Sequence, residues 1–282
     1  MTVYLFPGQG SQKLGMGEQL FSEFPDLVKT ADQILGYSLA DLCMEDPNDE
    51  LNKTAFTQPA LYVVNALSYL KKIKEGGVKP DYLAGHSLGE YNALLAAGVF
   101  DFATGLRMVQ QRGHLMSYFT GGGMAAVMGL KSDEVLAVLK QNNLHDLSIA
   151  NYNSYTQNVI SGPEESIKNA QLLFIKAGAK LYIPLKVSGA FHSPFMKDAQ
   201  LKFTEFLNNF NFLPPQIPVV SNLHALPYSE TDIAPNLSLQ IDHSVQWLQT
   251  IQYFFAKGET HFEEVGPGRV LASLMTQILK GW

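Results

Sequence analysis

The chain is poor in the features that mark several large protein classes. It has a single cysteine, Cys43, in 282 residues, which excludes an intramolecular disulfide and a thiolate metal cluster. It has no run of lysine or arginine, and its 20 basic residues are outnumbered by 26 acidic ones, giving a net charge of −6. A nucleic-acid binder usually shows the opposite balance or a basic stripe. No apolar run approaches the roughly 20 residues that span a bilayer, so no membrane segment is expected. The opening Met1-Thr2-Val3-Tyr4-Leu5-Phe6 gives out into a Gly-rich loop after too few apolar residues for a signal peptide, so the cytoplasm is the expected location. There is no internal repeat, low-complexity tract or long linker. What remains is 46% hydrophobic and 16% charged, the composition of a globular chain long enough for a sizeable core and two subdomains.

The most informative stretch is Gly85-His86-Ser87-Leu88-Gly89-Glu90, of the form G-x-S-x-G. A short apolar run, 80–84, precedes it and reads as a buried strand. The residues after it, 90–98, read as a helix closed by Gly98. A strand, a sharp turn and a helix make the context of a nucleophile elbow, in which one side chain is held out at the tip of the turn. A Cβ on either flank would crowd the neighbouring strand or helix, so Gly85 and Gly89 permit the close approach. Ser87 then lies at a helix amino end, where unpaired N–H groups favour negative charge. A plain Gly-rich turn is the competing reading. The first strand, 3–6, empties into Pro7-Gly8-Gln9-Gly10-Ser11-Gln12. This loop lacks both the G-K-[ST] ending of a phosphate loop and a G-x-G-x-x-G pattern. It reads better as the loop that lends a second N–H to an oxyanion beside Ser87, the donors being the amides of Gln9 and Leu88.

Further on, helical patterns are expected over 21–35 and 58–74, the second with Thr57 as N-cap and Pro59 in its first turn. Another runs from Asp101, its N-cap, to about Phe119. Gly105, Val109, Arg112 and Met116 share one stripe of that helix, while Arg107, Gln110, Gln111 and His114 make its wet face. Arg112 is therefore a cation among small and apolar residues. It is either a snorkelling or ion-paired structural arginine or a ligand-binding one. Beyond Gly121-Gly122-Gly123 the rhythm becomes βαββαβ: strand 125–130, helix 132–142 with Ser132 as cap, strands 147–151 and 157–161, helix 164–177 and strand 179–187. That order is the split βαβ of a ferredoxin-like unit. The predicted fold class is α/β: an α/β-hydrolase-like core, residues 1–120 and 189–282, carrying an inserted ferredoxin-like subdomain, residues 121–188. A helix to about Phe210, a returning strand 217–221, a helix 244–257, a last strand 261–265 and a terminal helix 270–279 complete the chain.

A serine nucleophile needs a base. Of seven histidines, His86 lies within the elbow and should point away from Ser87. His114 is on a wet face, and His145, His224, His243 and His261 sit in polar, turn-like or strand-edge settings. His192 lies where the inserted subdomain hands the chain back, the kind of seam that sites favour; the alternative is a satisfied structural histidine. Asp101, Asp133, Glu134, Asp146, Glu164 and Glu165 read as caps or wet-face residues. The expectation is thus a Ser–His dyad oriented by a backbone carbonyl rather than a triad.

Phe6-Pro7-Gly8-Gln9-Gly10-Ser11-Gln12, Thr57-Gln58-Pro59-Ala60, Gly85-His86-Ser87-Leu88-Gly89-Glu90, Gln111-Arg112-Gly113, Ala190-Phe191-His192-Ser193 and Glu264-Val265-Gly266-Pro267-Gly268 follow one another in the order and spacing of malonyl-CoA:acyl carrier protein transacylases. The resemblance covers essentially the whole chain. It is strongest to the discrete, trans-acting acyltransferases of bacterial modular polyketide synthases, through the segment 56–66. It implies ping-pong chemistry with malonyl-CoA as substrate and an acidic acyl carrier protein as partner, with no metal or redox cofactor. It implies Ser87 as nucleophile, His192 as base, and the amides of Gln9 and Leu88 as oxyanion hole. Arg112 would grip the malonyl carboxylate, and the Gln240 carbonyl would orient the histidine. Gln58 and Asn153 would line the site. Phe191 would be the bulky residue that disfavours a branch on the acyl group. Tyr155 stands where the family often has proline, which bears on the shape of the rim. Three rivals follow: a serine acyl hydrolase clearing carrier proteins, a malonyl transacylase of fatty-acid synthesis, and a non-catalytic carrier-docking module. The hydrolase would need no Arg112, and the docking module would need neither Ser87 nor His192.

Overall fold

The computed structural model describes residues 2–187 and 189–281. Its seven named strands are β1 (Thr2–Phe6), β2 (Tyr82–Gly85), β3 (Gly122–Met128), β4 (Ser148–Ser154), β5 (Gln157–Pro163), β6 (Leu181–Pro184) and β7 (His261–Glu264). The first, second and seventh form a parallel sheet of order β2-β1-β7. The returning segment expected over 217–221 meets its edge at Leu83, whose N–H donates to Pro218 O at 2.9 Å and whose carbonyl accepts from Val220 N–H at 3.0 Å. All five residues of β1 are buried, as a strand covered on both faces requires. Its alternation sorts them into two cores. Tyr4 and Phe6 join the cluster around the helices Thr54–Lys74 and Phe102–Ser117. Val3 and Leu5 join the one made by Trp247, Ile251 and Phe254 of Trp247–Ala256 and by Leu271 and Leu274 of Val270–Leu279.

The other four strands form an antiparallel sheet of order β4-β5-β3-β6. Here too the period of two decides what each face does. Ala125 and Val127 point into a separate core beneath the helices Ser132–Gln141 and Glu164–Lys176, with Val135, Ile160 and Phe174. Met124 and Ala126 point the other way and join the large core. The small sheet is thus bound to the large unit by its helix-free face.

Several local expectations differ from what forms. The helix expected over 21–35 is two helices, Glu18–Glu23 and Pro25–Leu35, because Pro25 has no N–H to continue the first and takes a first-turn position in the second. The helix expected at residue 58 starts at Thr54. Thr57 does not cap it; its hydroxyl donates back to Leu51 O and Lys53 O at 2.6 and 3.1 Å. Pro59 sits inside the helix, tolerated where residues 57–67 are wholly buried and packing outweighs one lost hydrogen bond. Ser132 is likewise the first helical residue, not the cap: Lys131 is, and Glu134 accepts from its N–H at 2.7 Å. The short helices Leu39–Met44 and Ile233–Leu239 were not expected, being too brief to show a period.

Candidate active site

Ser87 stands at the junction of β2 and the helix Gly89–Ala96. Its φ is +50°, a left-handed conformation that costs a residue with a Cβ about 1–3 kcal/mol and persists only where the surroundings dictate it. The surroundings are explicit. A Cβ on Gly85 would lie 1.9 Å from the Gly89 carbonyl, and one on Gly89 would lie 2.0 Å from Phe6 O of β1. A Cβ on Gly8 would lie 2.3 Å from His86 O, so the loop after β1 packs directly on the elbow. At the other end of the helix Gly98 adopts φ +76°, and the N–H groups of Gly98 and Val99 return to Leu95 O and Leu94 O.

His192 lies across from the serine, with Nε2 2.7 Å from Ser87 Oγ. It is the one buried histidine among the described residues, whereas His114, His145, His224, His243 and His261 are exposed. Its Nδ1 lies 2.7 Å from Gln240 O, and its own N–H donates to Ile241 O. A carbonyl oxygen only accepts, so Nδ1 carries the proton and Nε2 presents its lone pair to the serine hydroxyl. Burial, reinforced by the nearby Arg112 charge, lowers the imidazole to about 3, so it is neutral at physiological pH. His192 also has positive φ, +57°. His86 instead faces Asn153, Nε2 to Oδ1 at 2.8 Å, with its ring 5.3 Å from that of Trp247.

Arg112 is 1% exposed. Its neighbours Gly105, Val109 and Met116 are buried with it, while Arg107 and His114 on the opposite face are exposed. The guanidinium is partly paired. Nη1 donates to Gln58 Oε1 at 2.7 Å, and Nη2 donates to Gln240 Oε1 at 2.7 Å and Ser87 Oγ at 3.1 Å. The guanidinium carbon also lies 5.6 Å from the centre of the Tyr91 ring. Its terminal nitrogens are met by neutral oxygens, whereas its Nε is buried with no hydrogen-bond partner among the described residues, and no carboxylate there is in contact with it.

These groups open on a cavity of about 530 Å³ between the two sheets. Ser87, His192, Arg112, Phe191 and Gln58 line its floor, Asn153 and Val159 come from the small sheet, and Leu274 comes from the terminal helix. Gln9 and Leu88 line it as well, and among the described residues neither backbone N–H has a hydrogen-bond partner. The Gln9 side chain turns to Thr54 Oγ1 at 3.2 Å. Tyr155 does not line the cavity: its hydroxyl accepts from Gln252 at 3.2 Å, and its ring abuts Gly281.

Two residues with a part in this arrangement carried no signal of their own in the sequence. Asn222 accepts from Ser87 N–H and donates to Gly85 O, both at 2.6 Å, bracing the turn from a segment far along the chain. Glu90, the last residue of the elbow stretch, is fully buried. It accepts from Asn222 N–H and the Tyr228 hydroxyl, each at 2.8 Å, and from the Gln240 side-chain amide.

The arrangement can deprotonate a serine, hold a developing oxyanion at two free amides and receive an anionic substituent at a buried guanidinium. The sequence pattern of the family described as "Acyl transferase domain" matches residues 3–280. A protein of Bacillus subtilis (strain 168) named "Polyketide biosynthesis malonyl CoA-acyl carrier protein transacylase PksC" is 56% identical over 281 residues, 99% of this chain and 98% of its own length. Another protein of that strain, named "Malonyl CoA-acyl carrier protein transacylase", is 39% identical over 287 residues, 98% of this chain and 90% of its own length. Among solved structures, a malonyl CoA-acyl carrier protein transacylase from Burkholderia pseudomallei has a TM-score of 0.97 at 47% identity, covering 100% of this chain and 99% of that one. Matched almost end to end, the chain belongs to the acyl transferase domain family.

Proposed function

We propose that the protein moves a malonyl group from malonyl-CoA to the phosphopantetheine thiol of an acyl carrier protein, serving a polyketide synthase as a separate, trans-acting enzyme. The observation that carries the reading is the three-way contact at Ser87 Oγ, 2.7 Å from the neutral nitrogen of His192 and 3.1 Å from the cation of Arg112. His192 Nε2 takes the serine proton as Oγ attacks the thioester carbonyl. The Leu88 and Gln9 amides receive the oxyanion. On collapse the carbon–sulfur bond breaks, His192 protonates the departing CoA thiolate, and a malonyl ester remains on Ser87. The carrier thiol then gives its proton to His192 and attacks the ester, and the same proton returns to Ser87 as it leaves. Arg112 pairs with the free malonyl carboxylate, a planar bidentate match. Phe191 closes the pocket near the acyl C2 position.

Two further points support the reading. Identity to the Bacillus subtilis protein named for polyketide biosynthesis is 56%, against 39% for the one without that name, which favours the polyketide role over fatty-acid synthesis. We read the β4-β5-β3-β6 unit, residues 121–188, as an inserted ferredoxin-like subdomain on an α/β-hydrolase-like core of residues 1–120 and 189–282. The junction residue Ser188 lies outside the described residues.

Intact-protein mass spectrometry tests the mechanism. Mixing with malonyl-CoA alone should add one malonyl mass at Ser87, and adding a holo carrier protein should move that mass to the carrier. Labelling that persists in Ser87→Ala sinks the serine assignment. Release of free malonate without transfer turns the reading to the hydrolase.

A further inference from the structure

Glu90 does not line the cavity, yet through Gln240 it is joined to Arg112, which does. Its contacts are uncharged donors: Asn222 N–H and the Tyr228 hydroxyl on Oε1, and the Gln240 amide on Oε2. Burial without a contacting cation pushes it up to about 7. Gln240 is where its charge is felt. One N–H of that amide goes to Glu90 and the other to Ser87 O at 2.9 Å. Both partners only accept, so the amide oxygen is left facing Arg112, whose Nη2 donates to it at 2.7 Å. Turned over, the amide would set its NH₂ against the guanidinium and its oxygen against a carboxylate and a carbonyl.

We propose that Glu90 is a positioning residue that sets acyl selectivity: through the Gln240 amide, it holds Arg112 in the pose that grips a carboxylate. The inference rests on the malonyl-transfer reading above. With a neutral group at position 90 the Gln240 amide keeps only Ser87 O as a strong acceptor, so the oxygen that it offers to Arg112 is held less firmly and one of the two shortest hydrogen bonds of Arg112 is weakened. A Glu90 that only braced the elbow, through Asn222 and Ser87 N–H, would act on every acyl donor alike.

The test is the ratio of kcat/KM for malonyl-CoA over acetyl-CoA in the unmodified enzyme and in Glu90→Gln, which keeps the volume and an acceptor oxygen. The ratio should fall about tenfold, the scale of one charge-assisted hydrogen bond. Equal losses for both donors would overturn the proposal. An unmodified enzyme with no preference for malonyl-CoA would instead defeat the malonyl reading itself, so the two failures are distinct. Tyr228→Phe covers the case in which Glu90→Gln does not fold. The charged and titratable groups around Glu90 are Arg112, Tyr91 and Tyr228. Without the Tyr228 donor the carboxylate is a weaker acid. As pH is lowered from about 8 to about 6, the malonyl-to-acetyl ratio should then begin to fall at a higher pH than in the unmodified enzyme. His192 serves both donors and cancels in the ratio. A pH dependence identical to that of the unmodified enzyme counts against the proposal.

Discussion

His192 is kept neutral and aimed by its surroundings, and among the described residues no carboxylate contacts it. The Gln240 carbonyl fixes the proton on Nδ1, and burial with the Arg112 charge keeps a second proton off. General-base help is typically worth about 10²–10⁴-fold, so His192→Ala should lose that much in the rate of Ser87 acylation at neutral pH. The exposed His114 and His224 should tolerate alanine; rapid-quench acylation rates of the three variants decide the point. Arg112 carries the second prediction. Removing one partner of a buried charge pair costs about 3–5 kcal/mol, so Arg112→Ala should lower kcat/KM for malonyl-CoA by at least about 10²-fold. Acetyl-CoA brings no carboxylate and should gain relative to it. Competition between the two CoA esters reads this directly, and equal use of both by the unmodified protein would defeat the argument. Ser87, His192 and Arg112 could be named from the sequence because each sits in a short motif or on a helix stripe. Glu90 and Asn222 could not. The acidity of Glu90 matters only because Gln240, 150 positions away, lies against it, and Asn222 acts across 135 positions.

At the scale of elements, the elbow works because three backbones meet with no side chains between them. An added methyl group in a packed interior costs about 1–3 kcal/mol when neighbours can shift. At Gly85 the neighbours are the backbone atoms of Gly89 and Glu90, within 1.9–2.3 Å, which cannot move without carrying the helix and Ser87 along. Gly85→Ala should therefore lower Tm by several degrees and reduce Ser87 acylation beyond what its stability explains. Gly123→Ala is the control, since a Cβ there would find its nearest neighbour at 3.4 Å. Thermal unfolding and acylation of both variants check it. The elements that were legible are those with a strong period or a motif: the elbow, the helix Phe102–Ser117 with its sorted faces, and the βαββαβ order of the small sheet. Those misread turn on a single residue. Pro25 divides a helix, and Thr57 bonds backward rather than capping, because a hydroxyl can serve either role and only the preceding turn decides which.

At the scale of the molecule, the site belongs to neither sheet. Ser87 and His192 come from the large unit, while Asn153, Val159 and Leu185 of the small one close the cavity from the other side. In the proposed reaction a carrier arm enters along this seam, and the chain's overall charge would not favour the approach of an acidic carrier. At −6 the protein repels such a partner at long range, so capture should depend on local contacts. The mouth supplies them: Arg269 lines the cavity and is exposed, and Lys186 is exposed between the lining residues Leu185 and Val187. Leu185 and Ile183, 37% and 45% exposed, add apolar surface along the same strand edge. Raising salt from about 0.01 to about 0.1 M shortens the Debye length from about 30 to about 10 Å. That change removes long-range terms and leaves contacts between touching groups largely in place. The rate of malonyl transfer to a carrier protein, with Ser87 already loaded, should therefore not fall across this range. Lys186→Glu should raise the KM for the carrier by about two- to fivefold, the worth of one rim charge, without changing the rate at which malonyl-CoA loads Ser87. A steep fall in transfer with salt would mean that long-range attraction governs docking, and the carrier would then have to meet a basic surface away from this seam.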